Sequence, residues 1–244
     1  KRDPDTAEIT VYNLKKNLRH FAGTDATAVE TYASRINPAS LIFKGEIVDG
    51  VSRRSDDYTD WITTIEAEDT KSNLRTRMIS KTYSAGVTLH AALRDLATAA
   101  GMQIDITAPD KALPSAMSFL APPKDCIAQL VNRFGLRYQV RHGRLMVMSS
   151  TAPAPSQIPL INSSTGLIGV PTIKKEKRVI KVTFKTMLNP ALMSGGLCHL
   201  ETKAIESGRV AQLKPSTNYW IDRHKHVGSS RDGDFYTECE CREV

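Results

Sequence analysis

Four residues near the C-terminus carry the strongest chemical signal in the 244-residue sequence. His224-x-His226 and Cys239-x-Cys241 lie on two strand-like stretches joined by the turn-rich run Gly228-Ser-Ser-Arg-Asp-Gly-Asp234. Side chains at i and i+2 of a strand share a face, so each pair is locally preorganised. Two imidazoles and two thiolates on one face would suit tetrahedral zinc. The outcome turns on register. A symmetric hairpin that closes at Val227 and Phe235 sets His224 opposite Glu238 and sends both cysteines to the other face, so no metal centre is expected there.

The remaining candidates are weaker. His20, His90 and His142 stand on expected helices or turns with no acidic neighbour in sequence. Carboxylate pairs occur at Asp56-Asp57, Glu66/Glu68 and Glu238/Glu240; the last two alternate, as on a solvated strand face. General acid–base work needs a cleft and a shifted pKa, and neither is written here. Phosphate-binding glycine loops, Gly-x-Ser-x-Gly elbows and His-Glu-x-x-His helices are all lacking. The expectation is a protein that is not an enzyme, with no catalytic, cofactor-binding or metal residue.

Hydrophobic residues make up 41% and charged residues 24%, as in an ordinary globular protein. No stretch approaches the ~18 apolar residues that cross a bilayer, so no membrane insertion is expected. Cys126 and Cys198 are isolated and Cys239 and Cys241 too close to bridge easily, which fits a reducing compartment rather than a disulfide framework. The net charge of +7 is spread out: 13 basic against 13 acidic residues in 1–83, 7 against 4 in 84–150, and 13 against 9 in 151–244. The one dense run, Lys174, Lys175, Lys177, Arg178, Lys181 and Lys185, alternates with Ile180, Val182 and Phe184, and so reads as the wet side of a strand.

These side chains need a β-rich frame. Glu8–Tyr12, Ala26–Ala33, Leu41–Val48 and Trp61–Glu68 read as strands separated by turn-rich pieces, with a helix over Leu14–Ala22 capped by Asn13. Residues 84–148 differ. Thr88 caps a helix striped by Leu89, Ala92, Leu93 and Leu96 that Gly101 ends, and a strand with Met102, Ile104 and Ile106 follows. The unit recurs as a cap at Asp125, a helix with Ile127, Leu130 and Val131, Gly135, and a strand with Leu136, Tyr138 and Val140. His142-Gly143 then turns the chain into Leu145–Met148. Residues 149–159 are a Pro-rich linker. Strands are expected again at Arg178–Thr186, Leu197–Lys203, Val210–Leu213, Tyr219–Val227 and Phe235–Cys241. The expected architecture is mainly β: two antiparallel, barrel-like domains at 1–83 and 160–244, flanking a small α+β module at 84–148.

Several phrases, in order, resemble the baseplate hub proteins of contractile-tailed, Mu-like bacteriophages. They are Glu8-Ile-Thr-Val-Tyr-Asn-Leu14, Leu41-Ile-Phe-Lys-Gly-Glu-Ile47, Asp60-Trp-Ile-Thr63 with Asp69, Ser164-Thr-Gly-Leu-Ile-Gly-Val-Pro171, Leu188-Asn-Pro190, and the closing stretch from His226 to Asp234-Phe-Tyr-Thr237. The resemblance implies a structural virion protein of the tail baseplate, assembled in the bacterial cytoplasm. It implies a homotrimeric ring that joins the tail tube to a central spike, with a channel for DNA or the tape-measure protein. The helix–strand repeat at 84–148 also resembles modules of ring-forming envelope and secretion assemblies; a metal-dependent hydrolase on the His/Cys hairpin is the third alternative.

Overall fold

Alternating side chains build most of the chain into sheets, as the computed structural model shows for residues 5–19, 28–33, 38–69, 72–149, 158–176, 179–202, 216–231 and 233–244. The chain divides into two compact units, residues 1–31 with 43–150 and residues 32–42 with 151–244. Each contains a sheet curled into a half-barrel.

β1 (Thr6–Tyr12), β2 (Ala28–Ala33), β3 (Ser40–Arg54) and β4 (Trp61–Glu68) form a sheet in the order β1-β4-β3-β2, most of it in the first unit. Residues 26–27, expected at the start of β2, lie outside the described residues, as does the end of the helix expected over Leu14–Ala22. What is described of that helix is one turn, α1 (Lys16–Arg19). Asn13 does not cap it. Its backbone is left-handed at φ 55°, and it clips the end of β1 to the start of β4. Its N–H donates to Trp61 O (2.7 Å), its Nδ2 to Asp60 Oδ1 (2.6 Å), and its Oδ1 accepts from Trp61 N (3.0 Å). Asparagine tolerates this conformation because its short amide bonds locally.

β3 is longer than the alternation indicates, because a bulge between Ile47 and Asp49 lets it keep pairing with β4 up to Arg54. Near its start Gly45 is required. A Cβ there would lie 2.1 Å from the backbone oxygen of Glu68.

The helical insertion packs around one core. α3 (Leu89–Ala99) carries the Thr88 cap, whose side chain accepts from Ala91 N, and Gly101 leaves it at φ 68°. α4 (Pro123–Arg133) starts at two prolines, with Pro122 at the cap position. Asp125 is therefore not the cap but lies in the first turn, where its charge suits the helix dipole. β6 (Gln103–Ile106), β8 (Leu136–Arg141) and β9 (Arg144–Ser149) make a sheet in the order β6-β9-β8, with β6 parallel to β9. His142 (φ 49°) and Gly143 (φ 73°) form the two-residue turn of the β8–β9 hairpin, both left-handed as such turns demand. A second pair, β5 (Ile79–Tyr83) and β7 (Met117–Ala121), was not legible from the sequence. It closes the same core with α2 (Ser72–Thr76): Leu74, Ile79, Tyr83 and Phe119 join Leu93, Leu96, Ile127, Leu130 and Leu145. The core thus takes in residues upstream of 84.

In the second unit, β10 (Leu160–Ile161), β11 (Leu167–Glu176), β12 (Val179–Met187), β13 (Leu197–Glu201), β14 (Ser216–Val227) and β15 (Tyr236–Glu243) form a sheet in the order β10-β13-β14-β15-β12-β11. The strand expected at Val210–Leu213 and most of the 149–159 linker lie outside the described residues. β11 bends at a bulge between Ile168 and Thr172, with Gly169 at φ 69°. The inner face gathers Ile161, Val182, Phe184, Leu192, Cys198, Leu200, Tyr219, Ile221, Cys239 and Cys241. The fold is mainly β, with two barrel-like sheets and a small α+β insertion.

Candidate functional site

The terminal hairpin has a different register from the symmetric one. Val227 pairs with Tyr236 and His224 with Cys239, so the loop is one residue longer than a closure at Phe235 requires. A bulge between Ile221 and Arg223 then switches the parity of β14. Tyr219 and Ile221 face inward before it, and His224 and His226 after it, whereas β15 keeps Thr237, Cys239 and Cys241 inward throughout. All four candidates therefore share a face, contrary to the expected register. A one-residue slip is enough, because strand side chains have a period of two.

His224 bonds to the loop that follows β12, and His226 to a threonine of β15 that holds the same loop. His224 Nδ1 accepts from Ser194 N (3.1 Å) and lies 2.8 Å from Ser194 Oγ. A backbone N–H can only donate, so this ring carries its proton on Nε2. His226 Nδ1 is 2.9 Å from Thr237 Oγ1, which also accepts from Asn189 N at 2.9 Å. The two rings meet edge to face at 4.9 Å. His224 thus anchors Ser194 to the sheet, and Thr237, which also meets His226, anchors the Leu188-Asn-Pro190 turn.

The thiols lie in the apolar core. Burial pushes the Cys239 thiol well above its ordinary value, and the Cys241 thiol is raised by its hydrogen bond with Cys198 and then by burial. Reactive or metal-binding cysteines need the opposite shift. Among the described residues, no group of three or more His, Cys, Asp or Glu side chains lies close enough to hold a metal ion.

The other titratable groups serve structure. His90, which has no acidic neighbour in sequence, meets Asp110 (3.9 Å) and the carbonyl of Ala108 (2.8 Å) through the fold. Tyr83 donates to Asp95 Oδ2 (2.7 Å) and Lys81 pairs with Asp95 Oδ1 (3.0 Å). Burial, then the carboxylate, raises the Tyr83 phenol, and the phenol's hydrogen bond is the main cause of a lowered Asp95. His142, in the β8–β9 turn, is half-buried, and that burial lowers its pKa. Asp57 is held low by hydrogen bonds from Ser55 and Thr59 inside a turn. His20 lies outside the described residues.

Charge is arranged on sheet faces. In the second unit Glu238 and Glu240 of β15 lie between Lys185 and Thr183 of β12 and Lys225 and Arg223 of β14. Lys181 and Lys185 therefore alternate with buried Val182 and Phe184, the wet strand face read from the sequence. Lys177 and Arg178 lie outside the described residues. In the first unit Glu66 lies opposite Glu8 on one side and Asp49 on the other. Trp61 is covered by the guanidinium groups of Arg19 (4.1 Å) and Arg54 (4.7 Å) at the Asn13 clip. The phrases Glu8–Leu14 and Asp60–Thr63, distant in sequence, are thus neighbours. No helix among the described residues is long and apolar enough to cross a membrane.

Three solved structures share this fold. The c3393 protein of Escherichia coli is a type VI secretion component described as similar to the phage T4 tail proteins gp27 and gp5. It aligns with 99% of this chain and 70% of its own, at TM-score 0.68 and 8% identity. A 43 kDa tail protein of prophage MuSo2 from Shewanella oneidensis aligns over 97% and 87%, at 0.61 and 8%. A tail protein of Neisseria meningitidis aligns over 100% and 93%, at 0.59 and 11%. No curated protein matches by sequence. The sequence profile of the baseplate hub gp41 family matches residues 7–241, nearly the whole chain. The chain therefore belongs to the baseplate hub gp41 family, and its role is that of a structural component of the phage tail baseplate.

Proposed function

We propose that three copies of this chain form a ring that joins the tail tube to the central spike, and that the protein catalyses no reaction. The observation that carries this is the family match over residues 7–241 of a chain whose two units each present a half-barrel sheet. Two such sheets per copy give a three-fold ring six similar surfaces, which suits a junction between a six-fold tube and a three-fold spike. The titratable groups support the non-catalytic part: Asp57 is held inside a turn, His224 holds a loop, and Asp95 ties Tyr83 and Lys81 of β5 to α3. Tube, spike and neighbouring baseplate proteins are the proposed partners, with DNA or the tape-measure protein passing through the ring. Assembly in the host cytoplasm agrees with four cysteines that are all free and buried.

Mass measurement of the purified chain, with and without spike and tube proteins, tests the reading. A three-fold species is expected. A chain that stays monomeric at tens of micromolar with both partners present would overturn it.

The helical insertion is proposed as a separable module. Residues 84–148, extended back to Ser72 to keep Leu74, Ile79 and Tyr83 with their core, should unfold cooperatively when expressed alone. A disordered spectrum would count against it.

A further inference from the structure

The sheet β1-β4-β3 is polarised along its strands. Towards one end, Glu8, Glu66 and Asp49 stand directly opposite one another, all three exposed. Four residues further along β1, roughly 13 Å at the rise of a strand, the row is Tyr12–Ile62–Arg53. The same end carries Arg19 and Arg54, whose guanidinium groups cover Trp61, and the exposed Lys15 and Lys16 where α1 begins.

Neither end is neutralised by ion pairs. Those of the first unit join Lys44 to Glu30, Arg75 to Glu68, Lys81 to Asp95, His90 to Asp110 and Arg144 to Asp105. Among the described residues none involves Glu8, Glu66, Asp49 or the five cations. Of the carboxylates in the turn beside those cations, Asp57 is taken up by Ser55 and Thr59, and Asp60 by Asn13. Each end also leaves apolar surface in water: Val48 (60% exposed) and Val51 (56%) flank the acidic row, and Leu18 (44%) and Tyr58 (76%) lie at the basic end.

Like charges directly opposite in a sheet are destabilising, and exposed apolar side chains forgo burial. A nucleic-acid backbone would meet the cations and leave the acidic row as it is. A second copy of this chain supplies both signs of charge and relieves both ends. Of the five cations only Arg53 lies on the outward face with the acidic row; Arg54 pairs with Trp61 on the opposite parity. A face-to-face dimer would therefore leave most of the cations unused, whereas an end-on approach engages them together.

We propose that the basic end of one copy, Lys16, Arg53 and their neighbours, docks on the Glu8–Glu66–Asp49 row of the next. The contact is heterologous, the kind that generates a closed ring when its rotation closes. The proposal rests on the ring reading above and names surfaces that build the ring.

The test is self-association of the full chain by sedimentation velocity at low and high salt, with melting of the dilute chain alongside. Glu66→Lys places a cation between Glu8 and Asp49, so the dilute chain should melt higher while its dissociation constant rises at least about tenfold at low salt. Lys16→Glu/Arg53→Glu should weaken association by a similar factor, and high salt should shrink both differences. Glu8→Lys/Glu66→Lys combined with Lys16→Glu/Arg53→Glu inverts both regions, and should restore association to within about threefold of wild type. Glu66→Gln should weaken association more mildly, which covers the case in which a reversed chain fails to fold. Wild-type rings that none of these substitutions weakens would overturn the proposal and leave the ring reading standing. Weakening by each reversal without rescue in the combined chain would overturn the pairing of the two ends. Assembly that stops at two copies would overturn the heterologous contact, and a wild-type chain monomeric at every salt concentration would overturn the proposal and count against the ring as well.

Discussion

Phe184 offers a direct measure of how the second unit is held together. It lies on β12 with 2% of its surface exposed, against Val182, Tyr219, Ile221 and the cysteines of β15. Phe184→Ala removes most of an aromatic side chain that buries roughly 150–250 Å². At about 25 cal/mol per Å² that area corresponds to about 4–6 kcal/mol, an upper bound because alanine keeps its Cβ and the denatured chain already buries part of the ring. Truncations of buried phenylalanine cost about 3–5 kcal/mol, and that is the expected loss. With a urea m-value of about 2 kcal/mol per M, the unfolding midpoint should fall by roughly 2 M. The two tryptophans of the sequence allow the effect to be localised, because Trp61 stands in the first unit and Trp220 in the second. In a Trp61→Phe background, Trp220 fluorescence should report the full shift. In a Trp220→Phe background, Trp61 should report little change wherever the units unfold separately. A loss below about 1 kcal/mol at Trp220 would mean that Phe184 does not fill the core as described, and would refute the reasoning.

Gly45→Ala should destabilise the first unit by at least about 2 kcal/mol, because the added methyl meets rigid backbone of β4; thermal melting followed at Trp61 would check this. Asn13→Ala should cost about 2 kcal/mol by the same readout, losing the amide bonds to Asp60 and Trp61 at a left-handed position, while Asn13→Gly, which loses the bonds but accepts the φ, should cost less. Asp95 has a lowered pKa, so its contribution is present in full above the ordinary carboxylate value and fades as pH falls through the lowered one. Removing the hydrogen bond with Tyr83→Phe should flatten that acid limb of stability against pH, and an unchanged slope would dismiss the Tyr83–Asp95 bond as its source.

Features that depend on neighbours a few residues apart can be read from the residues alone. Thr88, Gly101 and Gly135 mark helix boundaries through local hydrogen bonds and left-handed backbone, and the stripe through Leu89, Leu93 and Leu96 follows from the helical period. Alternation placed Val182 and Phe184 inward and Lys181 and Lys185 outward, and the ordered phrases from Glu8 to Thr237 pointed to the baseplate hub family. Relations between distant strands emerge only in the folded chain. Asn13 has the residue type of a helix cap, yet its partners are Asp60 and Trp61, 47 and 48 residues away. β5 and β7 are too short and too poor in alternation to announce themselves, and become strands by closing the core of α3 and α4. The His/Cys hairpin shows the physical reason most clearly. Its face assignment depends on one extra loop residue and on a bulge that lets Tyr219 and Ile221, then His224 and His226, all point inward. That break in parity is visible in the sequence as an odd-numbered apolar pair followed by an even-numbered histidine pair. Only the packing of both pairs against the same core says that the strand must bulge there.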